Sequence, residues 1–190
     1  FLLDQKNVLQ EFQAQQPLAI DAELLTLDTP EVLLGNGSFG KVVRGSLQTA
    51  GKSVEAAVKF LPGLDRQQQK EQFEKELKVH LTAQTTADGI CRVFGTCEKL
   101  NQYCIVMKMY KYNLRKHIDL QPLKKLSAND VRKIVHALCS TLSQLHDIGI
   151  ILQDIKPENI LMDKFNNPVF ADFGISSVVT RTTSIMPTSV

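Results

Sequence analysis

The stretch Ile150-Ile-Leu-Gln-Asp-Ile-Lys-Pro-Glu-Asn-Ile-Leu161 decides the fold, and Ala-Asp-Phe-Gly follows it at residues 171–174. Apolar residues on both sides anchor a short polar loop. This loop carries an acid, Asp154, a lysine, Lys156, and an amide, Asn159, within six positions. Such a composition predicts a functional site rather than a solvated surface turn.

Three oxygen-bearing side chains can converge if the chain after this loop forms a hairpin. Residues 166–168 read Asn-Asn-Pro, which is typical of a turn. A hairpin there brings Asp172 toward Asp154 and Asn159. These hard oxygen ligands suit Mg²⁺ with phosphate better than zinc, for which the region offers neither Cys nor His. The sequence therefore predicts a site for a metal ion and a phosphate group.

Asp-x-Lys-Pro-Glu-Asn followed by Asp-Phe-Gly resembles the catalytic loop and the magnesium loop of eukaryotic protein kinases. The resemblance implies that Asp154 accepts the proton of the substrate hydroxyl, and that Asn159 and Asp172 hold Mg²⁺. Lys156, two residues after the acid, matches the serine/threonine branch and joins Asp154 as a catalytic residue. The implied substrates are ATP and a protein that carries serine or threonine.

A glycine-rich hairpin lies near the start of the predicted domain. Residues 32–34 and 42–47 read as strands around Gly-Asn-Gly-Ser-Phe-Gly. Glycines let the backbone approach a phosphate closely. In a dinucleotide-binding fold a helix follows the glycine-rich turn, so the strand predicted here disfavours that fold. The resemblance implies that this turn binds the phosphates of ATP, through Gly35, Asn36, Gly37, Ser38, Phe39 and Gly40. It implies that Val42 packs under the base.

The following strand, residues 54–60, alternates so that Ala57 and Lys59 share one face. A buried ammonium group is costly unless it is paired, so Lys59 predicts a carboxylate or phosphate partner. The alternative is a surface lysine at a strand end. The resemblance assigns Ala57 and Lys59 to the ATP site, with Lys59 on the α- and β-phosphates.

Residues 67–83 read as a helix with one apolar stripe, made of Phe73, Leu77 and Leu81. Glu76 leans toward that stripe, so it is the predicted partner of Lys59, and the family's helix glutamate matches it. Glu74 is the second choice. His80, at a position that is usually apolar in the family, is interpreted as a packing histidine.

Two further strands are predicted over residues 90–97 and 103–109 and complete a five-stranded antiparallel sheet. By position, Met107 resembles the residue beside the adenine pocket. Lys108, Met109 and Tyr110 resemble the hinge whose backbone binds the base. Met107 reads equally well as an ordinary core methionine, and the two interpretations are compatible.

A helical part follows. Residues 113–120 predict a short helix, and Ser127 with Asp130 predicts a capping box before a long amphipathic helix that ends at His146. His136 and His146 have no acid or serine pattern around them and are interpreted as structural. Residues 175–190 are rich in Ser and Thr and resemble an activation segment, although an ordinary flexible loop explains them too.

The chain departs from the family immediately before Asp154. Leu152 and Gln153 stand where the family carries His-Arg. Leu152 can still pack under Phe173, but Gln153 cannot form the charge-assisted pair with a phosphate that an arginine forms. We therefore expect activity that depends little on phosphorylation of the activation segment. The later Ala-Pro-Glu motif is absent as well.

Composition bounds the remaining possibilities. With 190 residues, 43% hydrophobic content and a net charge of +2, the chain is expected to be globular and not to bind nucleic acid. No apolar run approaches the ~18 residues of a membrane span, so a cytoplasmic protein is expected. Four cysteines without paired spacing are expected to be reduced thiols. They are Cys91, Cys97, Cys104 and Cys139.

The predicted fold class is α+β, in the two-lobed arrangement of protein kinases. Residues 1–30 are expected to be a lead-in segment, with a short helix over 1–16, and to belong to a longer chain. Residues 31–190 are expected to be an incomplete kinase domain, with an N-lobe over 31–110 and part of a mainly helical C-lobe over 111–190. The alternative functions are a pseudokinase scaffold that binds nucleotide without transfer and a small-molecule phosphotransferase.

Overall fold

The computed structural model describes residues 19–37, 40–49, 51–62 and 65–178. The helix predicted over residues 1–16 lies outside these ranges, as do Ser38, Phe39 and residues 179–190. None of the helices in the described ranges combines the length and apolar character needed to cross a bilayer. The four cysteines are free thiols, as the sequence predicts.

Six strands form one antiparallel sheet: β1 (Leu25–Leu27), β2 (Leu33–Gly37), β3 (Gly40–Thr49), β4 (Lys52–Phe60), β5 (Val93–Lys99) and β6 (Gln102–Lys108). Their order is β1-β3-β4-β6-β5, and β2 pairs with β3 at the end of β3 where the glycine-rich turn lies. The tight turn between β5 and β6 places Leu100 and Asn101 at positive φ.

The sheet has one strand more than the five predicted. Leu25 of β1 pairs with Leu47, and Leu27 pairs with Gly45, so the sheet begins within the segment predicted to be a lead-in. Leu25 is fully buried. A side chain at Gly45 would have its Cβ 2.6 Å from the carbonyl oxygen of Thr26, so the missing side chain permits this close pairing.

One long helix, α1 (Arg66–Thr86), packs on the sheet. Its N-terminus is capped by Asp65, whose carboxylate accepts a hydrogen bond from the amide of Gln68 at 2.9 Å. The predicted stripe faces the sheet: Leu77 is buried, and Phe73 and Leu81 pack against the same core cluster. The sheet and α1 together form the predicted first lobe.

The rest of the described chain is built around α2 (Leu114–Asp119) and α3 (Ala128–Asp147). Ser127 caps α3, because its hydroxyl accepts from the amide of Asp130 at 3.1 Å and donates to that residue's carboxylate at 2.6 Å. Short strands complete this part: β7 (Tyr112–Asn113), β8 (Ile150–Ile151), β9 (Ile160–Met162), β10 (Pro168–Phe170) and β11 (Ser177–Val178).

The predicted hairpin after the polar loop is present, since β9 pairs antiparallel with β10. Asn166 takes positive φ in the turn, and the carboxylate of Asp163 accepts from the amides of Phe165 and Asn167. A core cluster joins α1 and α3 to these short strands. The predicted α+β architecture, an antiparallel sheet with one helix followed by the first part of a helical lobe, is confirmed.

Candidate active site

A cleft of about 810 Å³ is lined by residues of both lobes. Most of the residues that the sequence singles out line it: Gly35, Asn36, Gly37, Gly40, Val42, Ala57, Lys59, Met107, Met109, Tyr110, Lys156, Asn159 and Asp172. Glu76 and Asp154 contact these lining residues directly. Ser38 and Phe39 lie outside the described residues. The cleft therefore gathers residues that are up to 137 positions apart in the chain.

Lys59 of β4 lies inside the protein with only 5% of its surface exposed. Its Nζ donates to the Oε1 atom of Glu76 at 2.5 Å and to the Oδ1 atom of Asp172 at 3.0 Å. Glu74, the second choice, instead lies exposed beside Lys70, with 3.8 Å between the charged atoms. The predicted pairing of Lys59 with Glu76 is therefore confirmed.

Burial and neighbouring charges act in opposite directions on the pKa values of this group. Burial disfavours the ammonium of Lys59, but the nearby carboxylates of Glu76 and Asp172 outweigh it and raise its pKa above the ordinary value. Burial also raises the pKa of Glu76, while Lys59 acts in the opposite direction. Because the group has one more carboxylate than cation, and Asp172 is the more exposed of the two carboxylates, Asp172 can bind a further cation.

Asp172 is held at the start of the Asp-Phe-Gly segment. The same Oδ1 atom that contacts Lys59 accepts a hydrogen bond from the amide of Gly174 at 3.1 Å. The backbone amide of Ala171 donates to the carbonyl of Asn159 at 3.3 Å, so Asp172 and Asn159 belong to adjacent backbone segments. Asn159 and Asp172 both line the cleft, as the sequence predicts.

Asp154 lies at the centre of a small hydrogen-bond network. Its Oδ2 atom accepts from Lys156 at 2.5 Å and from the side-chain amide of Asn159 at 2.9 Å. The hydrogen bond from Lys156 is the main reason why the pKa of Asp154 is lowered, although partial burial opposes the shift. Asp154 is therefore an ionised acceptor at neutral pH, as a group that receives a proton must be.

The oxygen ligands fit a magnesium ion that is partly held by phosphate. Because Asn159 uses its Nδ2 to donate to Asp154, its Oδ1 remains as an acceptor, and no described residue donates to that atom. In the described part of the chain, no three His, Cys, Asp or Glu side chains group into a metal cage. One carboxylate and one amide suit Mg²⁺, which is usually bound by one or two protein oxygens together with phosphates and water.

The glycine-rich turn leaves space over the cleft. A Cβ added at Gly35 or Gly37 would meet no atom within 4 Å, so protein packing does not require glycine at these positions. Gly40 differs, because its φ is +114° and a Cβ there would collide with the carbonyl of Phe60. The open space beside Gly35 and Gly37 fits a phosphate chain that approaches the backbone closely.

The opposite wall of the cleft is apolar. Ala57 of β4 pairs with Met107 of β6, and Val42 of β3 pairs with Lys59, so these side chains belong to neighbouring strands. Met107 is buried and joins the core cluster beneath α1. Met109 and Tyr110 follow the end of β6 and line the cleft. The wall has the composition expected for a planar aromatic base.

His80 links α1 to the Asp-Phe-Gly segment. It is fully buried, its ring stacks on Phe173 with centroids 4.5 Å apart, and its Nε2 donates to the carbonyl of Cys91 at 2.6 Å. Its Nδ1 has no hydrogen-bond partner among the described residues. Leu152 packs against the core cluster that contains Phe173. The interpretation of His80 as a packing histidine is confirmed.

The burial of His80 predicts a specific pH dependence of stability. Burial lowers the pKa of His80 from 6.5 to about 4, so between these values the unfolded chain binds a proton that the folded chain does not. The free energy of unfolding should therefore fall as the pH falls from 7 to 4, by up to about 3 kcal/mol from this residue. Urea denaturation across this pH range measures the effect.

A His80→Leu variant should lose this part of the pH dependence. His146→Leu is the matched control, because His146 is exposed at the end of α3 and should leave the dependence intact. An equal pH dependence in His80→Leu and in the unmodified protein would contradict the explanation.

The sequence patterns did not predict two features of the site, which are a contact of Gln153 and a group of basic side chains. Gln153 donates through Nε2 to the hydroxyl of Ser177 at 3.1 Å, beside the pairing of β8 with β11. Four basic residues of the segment 108–116 also line the cleft: Lys108, Lys111, Arg115 and Lys116. Their density in nine positions without an acid was the available signal.

Comparison with known proteins adds independent information. The protein kinase domain family matches residues 29–190. The chain is 34% identical over 151 residues to the G-type lectin S-receptor-like serine/threonine-protein kinase RLK1 of Arabidopsis thaliana, covering 77% of this chain and 18% of that protein. It is 29% identical over 163 residues to Kinase suppressor of Ras A of Caenorhabditis elegans, covering 85% and 20%.

A third relative is the Cysteine-rich receptor-like protein kinase 10 of Oryza sativa subsp. japonica, which is 28% identical over 190 residues, covering 93% of this chain and 28% of that protein. The chain thus spans less than a third of the length of each of these relatives.

Proposed function

Because the chain belongs to the protein kinase family, we propose that it transfers the γ-phosphoryl group of ATP to a serine or threonine hydroxyl of a protein, with Mg²⁺ as cofactor. The observation that carries this proposal is the buried contact of Lys59 with both Glu76 and Asp172. A lysine held between a helix and the Asp-Phe-Gly segment is the arrangement that an active kinase requires.

In the proposed reaction, Asp154 orients the acceptor hydroxyl and receives its proton. The hydroxyl oxygen forms a bond to the γ-phosphorus while the bond from that phosphorus to the β,γ-bridging oxygen breaks. The carboxylate of Asp154 is ionised at neutral pH and can take up the proton, but its lowered pKa makes it a weaker base than an ordinary aspartate, so orienting the hydroxyl is its main contribution. Lys156 keeps the carboxylate in place through its hydrogen bond.

The phosphate groups of ATP are assigned to the open glycine-rich turn and to Lys59. Backbone amides at Gly35 and Gly37 can approach phosphate oxygens closely because neither residue carries a side chain. Asn159 and Asp172 would hold Mg²⁺, which neutralises charge on the phosphates when it is bound. The base is assigned to the apolar wall that contains Val42, Ala57 and Met107, next to Met109 and Tyr110.

Serine and threonine are the proposed acceptors for two reasons. Lys156 lies two residues after Asp154, as in the serine/threonine branch of the family. The Arabidopsis relative is named a serine/threonine-protein kinase. Both observations support serine and threonine as the acceptors, and the peptide assay described below tests this specificity.

A pseudokinase that binds nucleotide without transfer is the second candidate. Leu152 and Gln153, in place of His-Arg, are the observation that favours it. Against it, Lys59, Glu76, Asp154, Asn159 and Asp172 are all retained, and the contacts described above join them. We therefore prefer the active kinase.

The test uses the protein at its natural length and three peptides that differ only in the acceptor, which is serine, threonine or tyrosine. With γ-labelled ATP and Mg²⁺, label is expected on the serine and threonine peptides, and EDTA should prevent it. Equal labelling of the tyrosine peptide would contradict the specificity. Absence of label on all three, with nucleotide still bound, would favour the pseudokinase.

Gln153 predicts that activity does not require a phosphorylated activation segment. Its neutral amide contacts the unmodified hydroxyl of Ser177 at 3.1 Å, and this contact needs no phosphate. Treatment with a phosphatase should therefore leave activity close to that of the untreated protein, whereas Gln153→Ala should lower it by up to about fivefold. Complete loss of activity after phosphatase treatment would refute this prediction.

A further inference from the structure

One rim of the cleft is strongly basic. Residues 108–116 read Lys-Met-Tyr-Lys-Tyr-Asn-Leu-Arg-Lys, and all four basic side chains are exposed and line the cleft. We name Lys108, Lys111, Arg115 and Lys116 the basic rim. Six basic and three acidic side chains line the whole cleft, and Glu76 and Asp154 contact two of the basic ones, Lys59 and Lys156, from outside the lining. Positive charge is therefore concentrated at the basic rim and not in the cleft as a whole.

Most of the rim charges are not neutralised by the protein. Arg115 has Asp119 at 3.5 Å, one turn along α2. Within the described ranges, Lys108, Lys111 and Lys116 have no carboxylate within 4.0 Å. Lys108 and Lys111 instead lie over the rings of Tyr110 and Tyr112, at 5.2 and 5.9 Å. Three ammonium groups thus face the solvent at the rim.

The rim is separate from the groups assigned to ATP phosphates. Lys59 and Asp172 lie on β4 and on the Asp-Phe-Gly segment, whereas the rim begins at the end of β6 and continues into α2. Helix α2 packs against the turn Pro157–Asn159, which directly follows Asp154 and Lys156. The helix that carries Arg115 and Lys116 therefore lies next to the loop that carries Asp154.

Ordinary solvation is the simplest alternative, because exposed lysines commonly have no partner. Two facts favour a ligand. The rim charges have one sign and share a concave opening, where low-dielectric walls concentrate the field. The acidic residues among the lining side chains are Asp119, which Arg115 already engages, Glu158 beside Lys156, and Asp172, which Lys59 engages. The carboxylates of the lining are thus engaged elsewhere, and the three rim lysines that lack a carboxylate partner in the described ranges attract anions.

We propose that the basic rim selects protein substrates with aspartate or glutamate residues beside the acceptor hydroxyl. This inference rests on the proposed kinase function and names its substrate class. Carboxylates of such a segment would contact Lys111, Lys116 and Arg115 while the hydroxyl reaches Asp154. Lysine or arginine at the same positions would be repelled.

The experiment compares peptides with one serine acceptor and flanks of glutamate, alanine or lysine, using the protein at its natural length. The value of kcat/KM should be about tenfold higher with glutamate than with alanine flanks, and lowest with lysine flanks. The double variant Lys111→Glu with Lys116→Glu should reverse the order of the glutamate and lysine peptides. The matched control is Lys124→Glu with Lys125→Glu, two exposed lysines outside the cleft lining, which should keep the original order.

A binding measurement separates this inference from the proposed function. Fluorescence anisotropy with peptides that carry alanine in place of the acceptor serine needs no catalysis. If the glutamate peptide binds more tightly than the others, and the Lys111→Glu with Lys116→Glu variant loses this preference, the proposed role of the basic rim is supported even if no phosphoryl transfer occurs. Equal binding of all peptides would overturn the inference whatever the activity. A rim variant that raises the KM for ATP but keeps the peptide order would also overturn it.

Discussion

Replacing Asp154 with asparagine is expected to lower kcat by a factor of about 10² to 10⁴, which is the usual contribution of a positioned proton acceptor. The carboxylate is ionised at neutral pH, as aspartates ordinarily are, and the hydrogen bonds that it accepts from Lys156 and Asn159 hold it in position. Asparagine has nearly the same shape but carries no charge and cannot take up the proton of the acceptor hydroxyl. ATP affinity should change little, because Asp154 does not line the cleft.

Steady-state kinetics and nucleotide titration of the same preparation measure the two effects separately. Asp147→Asn is the matched control, since Asp147 is an exposed acid at the end of α3 and should retain full activity. If Asp154→Asn kept its kcat, the role of Asp154 as proton acceptor would be wrong.

Breaking the buried ion pair should cost both stability and activity. Removal of Glu76 in a Glu76→Leu variant leaves Lys59 buried with Asp172 as its remaining partner, and we expect a loss of about 3 kcal/mol in the free energy of unfolding. Lys59 would then be drawn toward Asp172 alone, so kcat should fall as well. Urea denaturation and phosphoryl-transfer kinetics measure these losses.

The double variant Lys59→Met with Glu76→Leu should recover most of the stability, because both fully buried charges are gone and the remaining carboxylate, Asp172, is 25% exposed to solvent. It should stay inactive, since the lysine assigned to the phosphates is gone. The pair Lys70 and Glu74 on the same helix is the control: it is exposed and 3.8 Å apart, and Lys70→Met with Glu74→Leu should cost less than about 1 kcal/mol. The ion-pair argument is tested by the stability of the double variant and not by its activity. A double variant as unstable as Glu76→Leu would contradict the argument.

Features that depend on residues close together in the chain could be predicted from the sequence. The alternation of β4 indicated that Lys59 faces inward, and the apolar stripe of α1 favoured Glu76 over Glu74. The Ser127 cap and the turn before Pro168 were equally readable, because side chains and backbone within a few residues determine them.

Features that depend on distant parts of the chain could not be read in this way. Strand β1 has only three residues, and its position depends on pairing with Gly45 and Leu47. The stacking of His80 on Phe173 joins residues 93 positions apart. Nothing near Gln153 in the sequence indicates that it contacts Ser177. Such contacts follow from the folded arrangement and not from local pattern.

The most direct test of the account compares ATP binding with phosphoryl transfer in the protein at its natural length, for the unmodified chain and for Lys59→Met and Asp154→Asn. The account predicts that the unmodified chain binds Mg-ATP and transfers phosphate to serine or threonine. It also predicts that Lys59→Met weakens ATP binding and transfer, and that Asp154→Asn binds ATP but does not transfer. ATP binding that depends on Lys59, without transfer by the unmodified chain, would contradict the account and identify a pseudokinase.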